Sequence, residues 1–243
     1  MYDFVVSSYT PTVSALLHTP IPSLTRPKIL AVAQAQQTNN NFSALPGTSE
    51  EIKIVRKRAL EHSVDIVISE DGQGTVKHIL EEMKFCNWVH FACHGTQDLN
   101  DPTKSAFILA DGNLELAEII KYPLPHAQFA FLSACQTATG DIKLAEESVH
   151  LAAGMMLAGY RSVIATMWSI IDKDGPKVAD AVYAELLKDS RADHTRAAYA
   201  LHFAMQKLRL HSWHGCHSFI WACRRIVLDQ TLVYWDMRRN LID

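Results

Sequence analysis

The sequence predicts an α/β fold with a mainly parallel sheet between layers of helices, on three observations. Short apolar runs alternate with helical patterns in the order strand–helix–strand–helix–strand and, further on, strand–helix–strand–helix. Two of the runs, Trp88–Gly95 (WVHFACHG) and Gln128–Thr137 (QFAFLSACQT), contain no Lys, Arg, Asp or Glu, as strands buried on both faces require. Between them, residues 96–125 break the alternation with a turn-bearing insertion that reads as a β-hairpin.

Residues 1–27 open on a strand-like DFVVSSY. Pro11, Pro20, Pro22 and Pro27 then follow too closely for regular structure. This lead-in reads as the continuation of something longer. Lys28–Gln34 (KILAVAQ) is the first core strand, and Asn39–Pro46 a polar loop. Thr48 or Ser49 is placed to cap a helix over Glu50–His62, with acids early and bases late, as the helix dipole favours. Val64–Ser69 is the next strand. Asp71-Gly72-Gln73-Gly74 lacks the Lys and Ser/Thr of a phosphate loop and reads as a turn. Thr75 caps a helix through Lys84, and the strand Trp88–Cys93 follows.

In the insertion, Ser105–Ala110, the Asp111-Gly112 turn and Leu114–Leu116 form the hairpin, and Ala117–Tyr122 adds a short helix. The strand ending near Cys135 comes next, then a polar loop over 136–147. Ser148–Ala158 is a helix of small and apolar residues, stopped by Gly159. Ser162–Met167 is a further buried strand. Helices over Asp174–Lys188 and His194–Leu210 carry apolar residues at helical spacing, and Ser218–Leu228 is a last strand.

The whole-chain properties narrow the function classes. With 243 residues and 48% hydrophobic content, the chain has enough for one large domain with appendages. A net charge of −3 gives no reason to expect nucleic acid or an anionic membrane as partner. No uncharged apolar stretch is long enough to span a membrane, and no secretory leader is visible. Five cysteines, Cys86, Cys93, Cys135, Cys216 and Cys223, make an odd and irregularly spaced set, which points to a reducing, cytoplasmic compartment.

In open α/β sheets, reactive groups collect at the carboxyl ends of strands. Cys135 and His94 stand at two such exits. A thiol and an imidazole on neighbouring strands supply a cysteine nucleophile and its base. Gly95, with no Cβ, lets a substrate carbonyl come close, and its N–H with that of Cys135 can serve an oxyanion; an ordinary strand-exit turn explains Gly95 equally. Cys135 is otherwise one more buried cysteine. Cys93 points to the opposite face from His94 and belongs to the core. Glu146 and Glu147 read as cap or solvated face of the next helix, and Trp168 as a pocket wall or core aromatic. His211, His214, Cys216, His217 and Cys223 contain zinc-type ligands at a spacing that matches no standard site, so no metal and no other cofactor is expected.

The chain resembles a CHAT domain, a caspase-like relative of separase. The resemblance is carried by FACHG (Phe91–Gly95), SAFILADG (Ser105–Gly112), FLSACQTATGD (Phe131–Asp141) and LAAGMMLAGYRSVIATMWSIID (Leu151–Asp172), with Val178 and Tyr183 in the following helix. It covers about Lys28 to Trp221. That sets out a lead-in over 1–27, the domain over 28–221 and an atypical tail over 222–243, which departs from the family's usual ending.

The resemblance implies a caspase-like three-layer α/β/α sandwich, with a mainly parallel sheet and an inserted β-hairpin. It implies a His94/Cys135 dyad hydrolysing peptide bonds, and a regulated activity with residues 136–147 as the mobile loop. It further implies an upstream partner such as tetratricopeptide repeats. By the same resemblance Asp172 lines an S1 pocket that takes Arg or Lys; the alternative is an N-cap for the helix that begins near Asp174. A second function class stays open, a non-catalytic interaction module keeping the fold. A flavodoxin-like binding domain is a weaker third, disfavoured by the missing phosphate loop.

Overall fold

The computed structural model describes residue 6 and residues 26–36, 44–98, 100–133, 135–136, 149–166, 174–188, 192–212, 225–229 and 232–233. Strand β1 (Lys28–Ala33) leads to helix α1 (Pro46–Glu61), β2 (Asp65–Glu70), α2 (Val76–Met83) and β3 (Trp88–Ala92). Short strands β4 (His94–Thr96), β5 (Ala106–Ile108) and β6 (Asn113–Glu115) follow, with α3 (Leu116–Lys121). Then come β7 (Phe129–Leu132), β8 (Cys135–Gln136), α4 (Val149–Leu157), β9 (Ser162–Thr166), α5 (Gly175–Leu186), α6 (Ala197–Ser212), β10 (Arg225–Asp229) and β11 (Leu232–Val233).

The main sheet has the order β11-β10-β9-β7-β3-β1-β2. Strands β2, β1, β3, β7 and β9 run parallel, whereas β10 and β11 are antiparallel additions at one edge. A second sheet, β6-β5-β4-β8, is mainly antiparallel. The period-two alternation of strand side chains sorts the core into two layers. From β3, Val89 and Phe91 join Ile79, Met83, Ile119 and Met155 of α2, α3 and α4 on one face. Trp88 on the same strand, with Phe129 and Phe131 of β7, faces Val55, Val182 and Ala200 of α1, α5 and α6 on the other. The arrangement is the expected three-layer α/β/α sandwich with a mainly parallel sheet.

Most elements form where the residues predict. Thr75 caps α2, its Oγ1 accepting from the His78 N–H at 3.3 Å. The hairpin of β5 and β6 turns at Asp111-Gly112, closed by Leu109 N–H donating to Gly112 O at 2.8 Å. Gly159 ends the segment after α4 at φ +108, a conformation that favours glycine. The beginning of α1 corrects the expectation. The helix starts at Pro46, not Glu50, and neither Thr48 nor Ser49 caps it. Proline at the first turn has φ preset and no N–H to satisfy, so the helix begins without a side-chain cap. Thr48 lies inside, its hydroxyl donating to Leu45 O at 2.7 Å, and the first turn carries no acid.

The main sheet has a polar group buried at its other end. His194, 2% exposed, opens a single 3-10 turn before α6, with Nδ1 3.0 Å from Ser162 Oγ at the start of β9. Burial pulls its pKa down to about 4, outweighing the nearby Asp193 carboxylate. The unfolded chain therefore takes up a proton as pH falls below about 6.5, while the folded chain resists until about 4. Stability is expected to be flat above neutrality and to fall on the order of 2–3 kcal/mol by pH 4.5 from this group. Urea melts across that range check it, with His194→Gln flattening the slope.

Candidate active site

The two apolar runs that predict single strands are each broken in two, and the breaks build the site. The His run leaves the main sheet after Ala92, bends at Cys93, and resumes as β4. The Cys run leaves after Leu132 and resumes as β8. The Ser133 N–H still donates to Phe91 O at 2.8 Å, so the two segments stay together through the break. Beyond it, β4 and β8 pair in parallel, with His94 opposite Cys135 and Gly95 opposite Gln136. The register thus brings the Cys135 and His94 backbones side by side, on strands about 4.8 Å apart, at the carboxyl ends of β3 and β7.

His94 is 4% exposed, and Gly95 is buried. Gly95 also pairs with Phe107 of β5, so the inserted hairpin braces the His strand from its other side. The Phe107 ring stacks on Phe91 with centroids 4.3 Å apart, tying this second sheet to the main core. Cys93 is fully buried among core residues, as alternation predicts. Cys86 is also in the core, where burial pushes its thiol up to about 11 and keeps it protonated. Neither Cys86 nor Cys93 is therefore suited to be a nucleophile.

Asp172, Trp168, the 137–147 part of the loop, Glu146 and Glu147 lie outside the described residues, as do His214, Cys216, His217 and Cys223. Helix α5 begins with Asp174 at its N-cap, whose side chain makes no cap bond and instead accepts from Lys177 Nζ at 2.8 Å.

A buried polar network beneath the site goes unpredicted by the sequence. Glu51, on the inner face of α1, is 2% exposed, and its Oε2 accepts from Ser133 Oγ at 2.9 Å. Its Oε1 lies 3.2 Å from His90 Nε2, close enough for electrostatic attraction but not aligned as a hydrogen bond. His90 Nδ1 is 3.2 Å from the Tyr183 hydroxyl, and the imidazole stacks on Phe131 at 4.7 Å. Burial drives the Tyr183 pKa well up, so its hydroxyl stays protonated and can donate to Nδ1. The other ring nitrogen, Nε2, faces the Glu51 carboxylate. Two signals were legible: His90 is the one polar residue of WVHFA, and Glu51 shares the stripe of Val55 and Ala59 at i+4 and i+8.

A family model for the CHAT domain matches residues 2–228. The chain belongs to the CHAT domain family. No curated protein matches the sequence. Among solved structures, this CHAT domain is similar to the crystal structure of the Arg-specific cysteine proteinase gingipain R (RgpB). The TM-score is 0.53 at 13% identity, over 77% of this chain and 43% of that one. It is also similar to the complex of Porphyromonas gingivalis RgpB pro- and mature domains, with a TM-score of 0.52 at 12% identity, over 76% and 43%. The chain spans under half the length of either solved chain. At this identity the likeness is one of fold alone. Among the described residues, no helix is long and apolar enough to cross a membrane.

Proposed function

We propose that this CHAT domain is a cysteine endopeptidase working through Cys135 and His94. The observation that carries the reading is the β4–β8 register, in which the two residues are partners at the carboxyl ends of adjacent segments. The Cys135 thiol gives its proton to His94 and attacks the peptide carbonyl. The tetrahedral oxyanion is held by the Gly95 and Cys135 N–H groups. His94 then protonates the leaving amine, and water attacks the thioester to free the acid and regenerate the thiol. No metal or cofactor takes part. The substrate is a protein or peptide, and activity is gated by the 136–147 loop and by a partner such as an upstream tetratricopeptide array.

Labelling with a peptidyl acyloxymethyl ketone tests the activity. The expected result is a thioether on Cys135, lost in His94→Ala. No label on Cys135 in the full-length, partner-bound protein rejects the enzyme and leaves the fold as an interaction module.

Asp172 sets the preference for a basic P1 residue, in keeping with the Arg specificity carried in the name of the structurally similar gingipain. A guanidinium on a carboxylate is a charge-assisted and directional contact. Asp172→Ala is expected to lower kcat/KM for P1-Arg peptides by about two orders of magnitude and to leave uncharged P1 residues little changed. A positional peptide library reads this directly. Equal loss across all P1 residues would give Asp172 a structural role instead, since Asp174 holds the N-cap position of α5.

A further inference from the structure

The Glu51 carboxylate is where three separate segments meet. Ser133, 5% exposed at the exit of β7, donates to it from Oγ at 2.9 Å. Gly175, the first residue of α5, lies so close that a Cβ there would come within 2.6 Å of Glu51 Oε2 and 3.4 Å of Ser133 Oγ. His90, from the middle of β3, approaches the other oxygen at 3.2 Å. Glu51 itself stands on α1, a 16-residue helix held against α5 by the Arg58 Nε–Asp180 bond at 2.8 Å. The carboxylate also faces the N-terminal end of α5, where the helix dipole favours negative charge.

These segments are the ones that carry the proposed chemistry. Ser133 is two residues before Cys135, and Gly175 is three residues after Asp172. His90 is four residues before His94 on the same chain segment. Among the described residues no Lys or Arg pairs with the Glu51 carboxylate, so it is costly to bury. An apolar residue on the α1 stripe would pack there at less cost, so the position is held for what the carboxylate fastens.

We infer that Glu51 and Ser133 are positioning residues: their hydrogen bond fixes the exit of β7, and so the placement of Cys135 relative to His94, against the start of α5. The inference rests on the peptidase reading of Cys135 and His94. It predicts an energetic coupling between Ser133 and His94, two residues that act on the same thiol from different directions. Glu51 also links the nucleophile's segment to the one that follows Asp172, so a shift of α5 reaches both.

The test is the rate of Cys135 alkylation by iodoacetamide in the intact full chain, mapped by peptide mass spectrometry. His94→Ala is expected to change that rate about tenfold in the native background and less than about twofold in Ser133→Ala, because a misplaced thiol no longer senses the imidazole. Ser133→Thr, which keeps the hydroxyl, should restore the full His94 effect. Glu51→Gln serves as the second variant if Ser133→Ala fails to fold, since it keeps shape and removes charge. An equal His94 effect in both backgrounds overturns the positioning role and leaves the dyad standing. No His94 effect in the native background overturns the dyad, and the positioning role with it.

Discussion

Replacing His94 by alanine is expected to lower peptide hydrolysis by about three orders of magnitude, since a positioned acid–base group is worth about 10²–10⁴. A thiol without its base is mostly protonated at neutral pH and leaves the amine with no proton donor. Cys135→Ala removes the nucleophile and is expected to abolish turnover. The double variant should be no worse than Cys135→Ala, because the two groups act as a unit. Progress curves with a fluorogenic peptide provide the measurement. Both changes lie in short strands at the end of the sheet, so urea midpoints should move little and separate lost chemistry from lost folding.

Trp88→Ala is expected to produce the largest loss of stability, about 3–5 kcal/mol. Trp88 is fully buried at the start of β3, between its register partners Ile29 of β1 and Phe129 of β7. Its ring meets Phe129 edge-on at 5.1 Å and Tyr183 at 6.4 Å. Its Nε1 donates to Gln128 Oε1 at 3.3 Å, so truncation costs a hydrogen bond as well as a cavity. The central strand cannot move to fill the void without breaking two ladders. Phe85, three residues earlier and 66% exposed, is the control: Phe85→Ala should stay within about 0.5 kcal/mol. Urea denaturation at neutral pH compares the two.

The strands were legible because both faces of the main sheet are covered. Lys28–Ala33, Trp88–Ala92 and Phe129–Leu132 are apolar throughout but for Lys28 and His90, a pattern parallel burial imposes. The hairpin was legible from Asp111-Gly112 and its flanking alternation. The break of each reactive run into two strands was not, because the residues across it, Cys93 and Ser133, are small and suit a strand. What ends the main-sheet ladder is the arrival of the β5–β6 hairpin, a long-range partner that local pattern does not announce. The start of α1 was misplaced because the acids at Glu50 and Glu51 looked like a first turn. Pro46 had already begun the helix, which puts Glu51 in its second turn and on its inner face. The Glu51 network escaped for the same reason: an acid early in a helix reads as a dipole partner, and only the packing of α1 shows it buried against Ser133 and His90.

The claim that Cys135 does the chemistry is tested most directly by trapping its thioester. Rapid acid quench of the enzyme with a P1-Arg peptide, followed by mass spectrometry of the Cys135-containing fragment, should show the fragment carrying the acyl half of the substrate. The adduct should vanish in His94→Ala. Turnover of the same peptide with Cys135 unmodified at every quench time, or undiminished in Cys135→Ala, would contradict it.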